Sequence, residues 1–237
     1  MSRLNTPPRV FSLFDGVCLL CDDHCGEQIA LCKPCQNDLP RIQTSCRKCG
    51  VSINHSDDLV CGECQKAPLN VDYTVCLFHY EAPVDYLIGA LKFKQQLACA
   101  AVFSHLLIEK LTGQTDLSTG PEVIIPVPLF NKRLVKRGFN QSLEIARPLA
   151  HHFKIPIDHQ LVRRHKATLA QSTLNRQQRK KNIKGCFTLT HKPPYNHVVL
   201  VDDVITTGAT VNEIATVLKQ AGVAQVGVWS VARAELK

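Results

Sequence analysis

The chain has 237 residues, 45% of them hydrophobic and 20% charged, enough for one ordinary globular domain plus a small module. No apolar run approaches the roughly 20 residues that cross a bilayer. The N-terminal Met-Ser-Arg-Leu-Asn-Thr-Pro-Pro also lacks the apolar stretch of a signal peptide. A chain without a membrane span and with a cytoplasmic location is expected. The formal net charge is +8, which points to anionic partners.

The first part of the chain is dominated by cysteine. Nine of the twelve cysteines fall between positions 18 and 64, and eight of those form four C-x2-C pairs: Cys18/Cys21, Cys32/Cys35, Cys46/Cys49 and Cys61/Cys64. In a reducing compartment such pairs read as metal knuckles, because C-x2-C turns two sulfurs toward one ion and two such turns complete a tetrahedral zinc site. Sequential pairing gives Cys18, Cys21, Cys32 and Cys35 for one ion, with Cys46, Cys49, Cys61 and Cys64 for the other. Cross-braced pairing also satisfies the spacing. His24 and Cys25 are substitute ligands within reach in sequence. With four thiolates on each ion no position stays open for chemistry, so two structural zinc ions are expected. Each such site carries −2, which lowers the net charge from +8 to about +4. The spacing therefore predicts a zinc module over residues 1–67 and a second domain over 68–237. Cys76, Cys99 and Cys186 stand alone and are expected in the core.

From Pro68 onward, strands alternate with helices. Residues 71–80 read as a strand from their β-branched and aromatic content. Val84, Leu87, Ile88 and Leu91 then make one apolar helix face, and a second helix is expected from about 97 to 111. A polar loop leads to Pro121, and residues 122–127 form a short apolar run suited to a buried parallel strand. A basic loop follows, then a helix over about 141–153 that Pro148 should break or kink. Residues 197–201 form another buried strand, 211–221 a helix ending at Gly222, and 225–231 a last strand. This order predicts an α/β fold with a mainly parallel sheet flanked by helices.

The most specific segment runs Val198-Val-Leu-Val-Asp-Asp-Val-Ile-Thr-Thr-Gly-Ala-Thr210. A buried strand, a Thr/Gly-rich turn and a helix start place the turn at the carboxyl end of a strand, where open α/β sheets bind ligands. Gly208 lets successive N–H groups curl inward, and the helix N-terminus adds positive potential, so the turn is a phosphate cradle. Val204, Ile205, Thr206, Thr207, Gly208, Ala209 and Thr210 form that cradle, with the threonine hydroxyls as donors. Asp202 and Asp203 would repel a phosphate, but they suit the vicinal hydroxyls of a ribose or water on Mg²⁺. Phosphate and sugar together describe a ribose 5-phosphate. No Gly-Lys-Ser/Thr follows, so the turn is not a Walker loop.

A pyrophosphate on that ribose would need cations. Pro126 to Arg133 and Lys136 to Gln141 follow a buried strand and offer Arg133 and Arg137 as phosphate partners. Between Asp158 and Asp202 there is no acid, while Arg163, Arg164, Lys166, Arg176, Arg179, Lys180, Lys181, Lys184 and Lys192 fall there. The part from 163 to 184 reads as a lid over an anionic ligand or as a nucleic-acid arm, although no aromatic occurs in it before Phe187. Lys92 and Lys94, just past an amphipathic helix, read first as surface lysines, with a reach to phosphate as the other reading.

Taken together, the double zinc-ribbon start, Ala-Leu-Lys-Phe-Lys (90–94), Pro-Val-Pro-Leu (126–129), Arg-Gly-Phe-Asn-Gln (137–141) and the loop over 201–210 resemble the ComF family, with its GntX-like members, over nearly the whole chain. The resemblance implies a type I phosphoribosyltransferase-like fold binding phosphoribosyl pyrophosphate with Mg²⁺. It also implies a role in natural competence, with single-stranded DNA and the DNA-uptake machinery as partners. Two functions stay open: a binding protein in DNA uptake, or an Mg²⁺-dependent phosphoribosyltransferase in which Asp202, Asp203, Arg133 and Arg137 act on an unidentified acceptor.

Overall fold

A computed structural model describes residues 16–26, 29–54, 59–113, 120–166 and 183–235. Its centre is a four-stranded sheet of β1 (Tyr73–His79), β2 (Val123–Pro126), β5 (His197–Ile205) and β6 (Gln225–Arg233), in the order β1-β6-β5-β2. Every pairing in it is parallel. Parallel strands are buried on both faces and read as continuous apolar runs, which is why 122–127 and 197–201 are visible in the sequence.

The side-chain alternation of each strand feeds two cores. On one face Val199 and Val201 of β5 join Trp229 and Val231 of β6 in an apolar cluster, packed beneath α3 (Val84–Lys94), α4 (Ala98–Thr112) and α6 (Gln141–Phe153). On the other face Val198, Leu200, Val226 and Val228 pack with Ile214 and Leu218 of α7 (Ala209–Gln220). The expected helix face Val84, Leu87, Ile88 and Leu91 is fully buried, and Cys76, Cys99 and Cys186 are core residues. Among the described residues no helix is long and apolar enough to cross a membrane.

The structure corrects four readings. The basic loop after β2 contains a short helix, α5 (Asn131–Arg137), none of whose residues is buried, so it has no apolar periodicity to betray it. Pro148 does not break α6, which runs on to Phe153. Ser104 Oγ of α4 donates to the Ile145 carbonyl at 2.9 Å, giving the turn ahead of the proline a partner from outside the helix. Strand β5 continues four residues past Val201, so Asp202 and Asp203 belong to the strand end and not to the turn. Finally, the 163–184 stretch opens in a strand that the sequence reading left unassigned. Arg163 and Arg164 lie in β3 (Val162–Arg164), antiparallel to β4 (Phe187–Leu189), with the Arg164 guanidinium 5.6 Å from the Phe187 ring centroid. Of the expected lid, Thr168, Gln171, Arg176, Arg179, Lys180, Lys181 and Asn182 lie outside the described residues, as does the N-terminal segment up to Asp15.

The cysteine module wraps the β1 edge of the sheet. Ile42 N–H donates to Leu77 O at 2.9 Å, His79 N–H to Pro40 O at 2.9 Å, and Thr74 N–H to Arg47 O at 2.7 Å. An edge strand that would otherwise present free backbone groups is thereby paired.

Candidate functional site

The site is built where β5 ends. Asp203 is buried within hydrogen-bonding reach of two helices: Gln141 Nε2, in the first turn of α6, donates to Oδ1 at 3.1 Å, and the Lys92 ammonium of α3 forms an ion pair with Oδ2. Asp202 accepts from Ser142 Oγ at 3.3 Å and from the Asp203 N–H at 3.0 Å. The two carboxyls therefore separate in character. Burial, and then the neighbouring Asp203 charge, push Asp202 up to about 8. Burial also works against the Asp203 anion, but the Lys92 ammonium, Gln141 and Arg137 outweigh it and hold that carboxyl below the usual range. Asp202 therefore keeps its proton to higher pH than an ordinary carboxyl, while Asp203 is held as the anion of the pair.

Cations converge on this pair. Arg137 Nη1 donates to Gln141 Oε1, so one amide bridges the guanidinium to Asp203. Burial lowers Arg137 and Arg164, and the nearby positive charge of Arg133 lowers both further. Three guanidinium groups held together at some desolvation cost favour an anion between them. The Arg-Gly-Phe-Asn-Gln run acquires a structural meaning here. Arg137 reaches Gln141, while Asn140 caps α6 by accepting from Ser142 N–H at 3.0 Å and is tied to Val127 O at 3.1 Å. Beside α5 an open cleft of about 870 Å³ is lined by Phe130, Asn131, His159, Arg163, Arg164 and His165 among others.

After β5 the loop Thr206–Gly208 turns into α7. Gly208 has φ +75°, a left-handed conformation that side chains resist, and it sits at the N-cap of a twelve-residue helix, so the positive end of that helix faces the loop. Thr207 is buried, with Oγ1 accepting from Ala209 N–H at 3.3 Å. Such a loop can hold a phosphate monoester while the acids behind it face a sugar.

Two residues of this neighbourhood were missed in the sequence. Lys92 was read as a surface lysine, yet it pairs with Asp203. The signal was its position four residues after Ile88, on the buried side of α3. Arg233, at the end of β6, is buried and fastens the loop from below: Nη1 donates to Ile205 O at 3.3 Å and also to Thr206 O and Ala234 O, while Nε donates to Cys49 O at 2.8 Å. No spacing rule links an arginine at 233 to a cysteine at 49.

The eight cysteines gather in two groups, Cys18, Cys21, Cys32, Cys35 and Cys46, Cys49, Cys61, Cys64, with all sulfurs of a group within 4.8 Å of one another. This is the sequential pairing, and His24 and Cys25 stand outside both sets. The sulfurs suit zinc. Cys21 and Cys32 are 3.6 Å apart and Cys49 and Cys61 3.7 Å, near the roughly 3.8 Å edge of a tetrahedron with Zn–S of about 2.3 Å. Cys61 N–H also donates to Cys46 Sγ at 3.2 Å, as a thiolate invites.

A parallel sheet whose acid-acid strand runs into a Thr-Thr-Gly loop and a helix start, preceded by two cysteine tetrads, defines a phosphoribosyltransferase-type domain carrying a double zinc ribbon. Family models agree: the phosphoribosyl transferase domain matches residues 140–235 and the double zinc ribbon domain residues 10–65. The chain is 36% identical to the DNA utilization protein YhgH of Salmonella typhi, covering 92% of this chain and 97% of that one. It is 37% identical to Competence protein F of Haemophilus influenzae over 86% of this chain and 90% of that one. Competence protein ComFC of Streptococcus pneumoniae is 26% identical over 90% and 89%. The chain belongs to the ComF family.

Proposed function

We propose that this protein binds phosphoribosyl pyrophosphate with Mg²⁺ and acts in natural transformation, assisting the handling of imported single-stranded DNA in the cytosol. The observation that carries the reading is the β5–loop–α7 unit, in which buried Asp202 and Asp203 stand directly behind the Gly208 cradle. In this reading Thr206, Thr207, Gly208, Ala209 and Thr210 hold the 5-phosphate. Asp202 and Asp203 take the ribose hydroxyls, and Arg133 and Arg137 face the pyrophosphate. Mg²⁺ would come with the ligand and neutralise its phosphates, and Asp203, held as an anion, would serve it through water. The names of the relatives support the biological role, and the loop supports the ligand.

Ligand that binds only the folded state raises its melting temperature. Phosphoribosyl pyrophosphate with Mg²⁺ is therefore expected to raise the melting temperature of the wild-type protein, and not that of Asp202→Ala/Asp203→Ala. An unchanged wild-type melting curve at millimolar ligand overturns the reading.

A second reading is favoured by one arrangement, the Lys92, Arg137 and Gln141 donors gathered on Asp203. In it the protein is a phosphoribosyltransferase acting on an unidentified acceptor. Pyrophosphate release above the no-enzyme rate, lost in the same double variant, supports transfer. Binding without release under any nucleobase or amine acceptor leaves the binding role alone.

A further inference from the structure

We propose that the exposed side of α3 together with α5 is a stacking platform for single-stranded nucleic acid, continuous with the phosphoribosyl pyrophosphate site. The proposal rests on the single-strand handling read above and places its contact surface. Phe93 is 79% exposed and Tyr86 52%, on a helix whose opposite side is fully buried. Rings of this size are ordinarily withdrawn from water, and their exposure as a pair marks a contact surface. Seven residues separate them, which brings both to one side of the helix about 10.5 Å apart along its axis. That interval suits two bases of an extended strand rather than two neighbours in a stacked duplex.

Each ring carries a cation at its side. The Lys94 ammonium lies 5.0 Å from the Tyr86 centroid and the Arg137 guanidinium 5.7 Å from that of Phe93. Alongside, α5 presents Lys132, Arg133 and Lys136 as well as Arg137, and its Val135 is 83% exposed. Apart from Asp85 in the first turn of α3, no acid occurs over residues 82–108 or 123–143. Such an excess of cations selects a polyanion, and exposed rings beside them select one with unpaired bases. A duplex keeps its base faces stacked, and an acidic peptide would use the cations but leave the rings idle. A second copy of the chain would bring like charges together.

The platform also meets the site. Arg137 touches Phe93 on one side and, through Gln141, Asp203 on the other. The expected arm at 163–184 has no ring before Phe187, which lies 3% exposed under Arg164, so α3 and α5 supply what that stretch lacks.

Fluorescence anisotropy with a labelled oligothymidylate of about 20 nucleotides, across a salt series, tests the proposal. Wild-type protein binds it more tightly than a duplex of equal length. Tyr86→Ala/Phe93→Ala weakens binding by at least about tenfold with the salt slope nearly unchanged, and Phe93→Trp restores it. Lys132→Glu/Lys136→Glu weakens binding and flattens the salt slope. Both rings are exposed, and unchanged melting and ligand affinity in the alanine variant show that it is folded. If wild-type protein binds the strand but the alanine variant binds equally well, the platform is overturned while single-strand handling stands. Equal competition by polyglutamate overturns the platform too, since the surface then reads charge alone. If wild-type protein binds no strand at low salt, the single-strand reading itself fails.

Discussion

The two cysteine ribbons repeat one local design in different seats. In each, the N–H of the first cysteine bonds a carbonyl five residues on, Cys18 to Asp23 and Cys46 to Val51, both at 2.8 Å. In each, the residue four past that cysteine has a positive φ, +59° at Asp22 and +71° at Gly50. The third cysteine of each then caps a short helix bearing the fourth, α1 (Lys33–Asn37) and α2 (Gly62–Lys66). The following glutamine donates back to the residue before the third cysteine, Gln36 to Leu31 at 2.8 Å and Gln65 to Val60 at 3.0 Å. The seats diverge. The first ribbon buries Cys18, Ala30, Leu31 and Leu39 in the apolar cluster of Phe78 and Trp229. The second is held by polar bonds: Thr74 Oγ1 donates to Lys48 O at 2.8 Å, Lys48 Nζ to Val71 O at 3.0 Å, and Arg233 to Cys49 O and the loop carbonyls of Ile205 and Thr206. One copy is an apolar cover. The other is a clamp beneath the loop after β5, so a cysteine ribbon can bear on the candidate ligand site without facing it.

The largest expected effect separates the copies outright. Cys46→Ser/Cys49→Ser should lose one zinc and lower affinity for phosphoribosyl pyrophosphate at least about 100-fold, because a structural site of this kind folds with its metal. Cys18→Ser/Cys21→Ser should also lose one zinc and depress the melting temperature, yet keep affinity within about threefold. Zinc content and titration calorimetry read both, and equal losses of affinity would break the comparison.

Gly50→Ala is next. Its Cβ would lie 2.6 Å from Cys76 Sγ at a left-handed φ, for a cost of about 2 kcal/mol in urea unfolding. Asp22→Gly, at the equivalent exposed position, should stay within about 0.5 kcal/mol or stabilise. A comparable loss at both positions would mean that the seat does not matter.

Arg233→Lys keeps the charge but loses the fork that serves several carbonyls at once. Affinity should fall about tenfold with both zinc ions retained. Loss of zinc in this variant would place Arg233 in the ribbon's own stability and not in the link between ribbon and loop.

A change at the site itself supplies the control, since neither ribbon should alter it. Asp202 is raised to about 8 in the folded protein, against about 3.9 unfolded. Between those values the folded state keeps a proton that the unfolded state has lost, so Asp202 makes stability fall as pH rises from about 5 to 8. Asp202→Asn should flatten that fall in urea unfolding. Asp203 is shifted the other way, so its contribution fades as pH drops below the ordinary carboxylate range. An undiminished slope in Asp202→Asn removes the assignment.

Much of this was legible in the sequence because it is local. The C-x2-C spacing, the apolar run before Asp202 and the threonine-glycine turn each lie within a dozen residues, and each carries its own geometry. The links between them were not legible. Lys92 meets Asp203, Arg233 meets Cys49, and Arg137 meets Phe93 only after the sheet has formed, and no periodicity records a contact across such separations. The helix α5 escaped notice for the opposite reason, having no buried face to leave a pattern.

The central claim is that the loop after β5 holds phosphoribosyl pyrophosphate. Calorimetric titration of the zinc-loaded, full-length protein with that ligand and Mg²⁺ tests it directly. Saturable binding near one ligand per chain is predicted, weakened without Mg²⁺ and lost in Asp202→Ala/Asp203→Ala. Absence of binding heat up to millimolar ligand at several temperatures, or equal binding by the double variant, would contradict it.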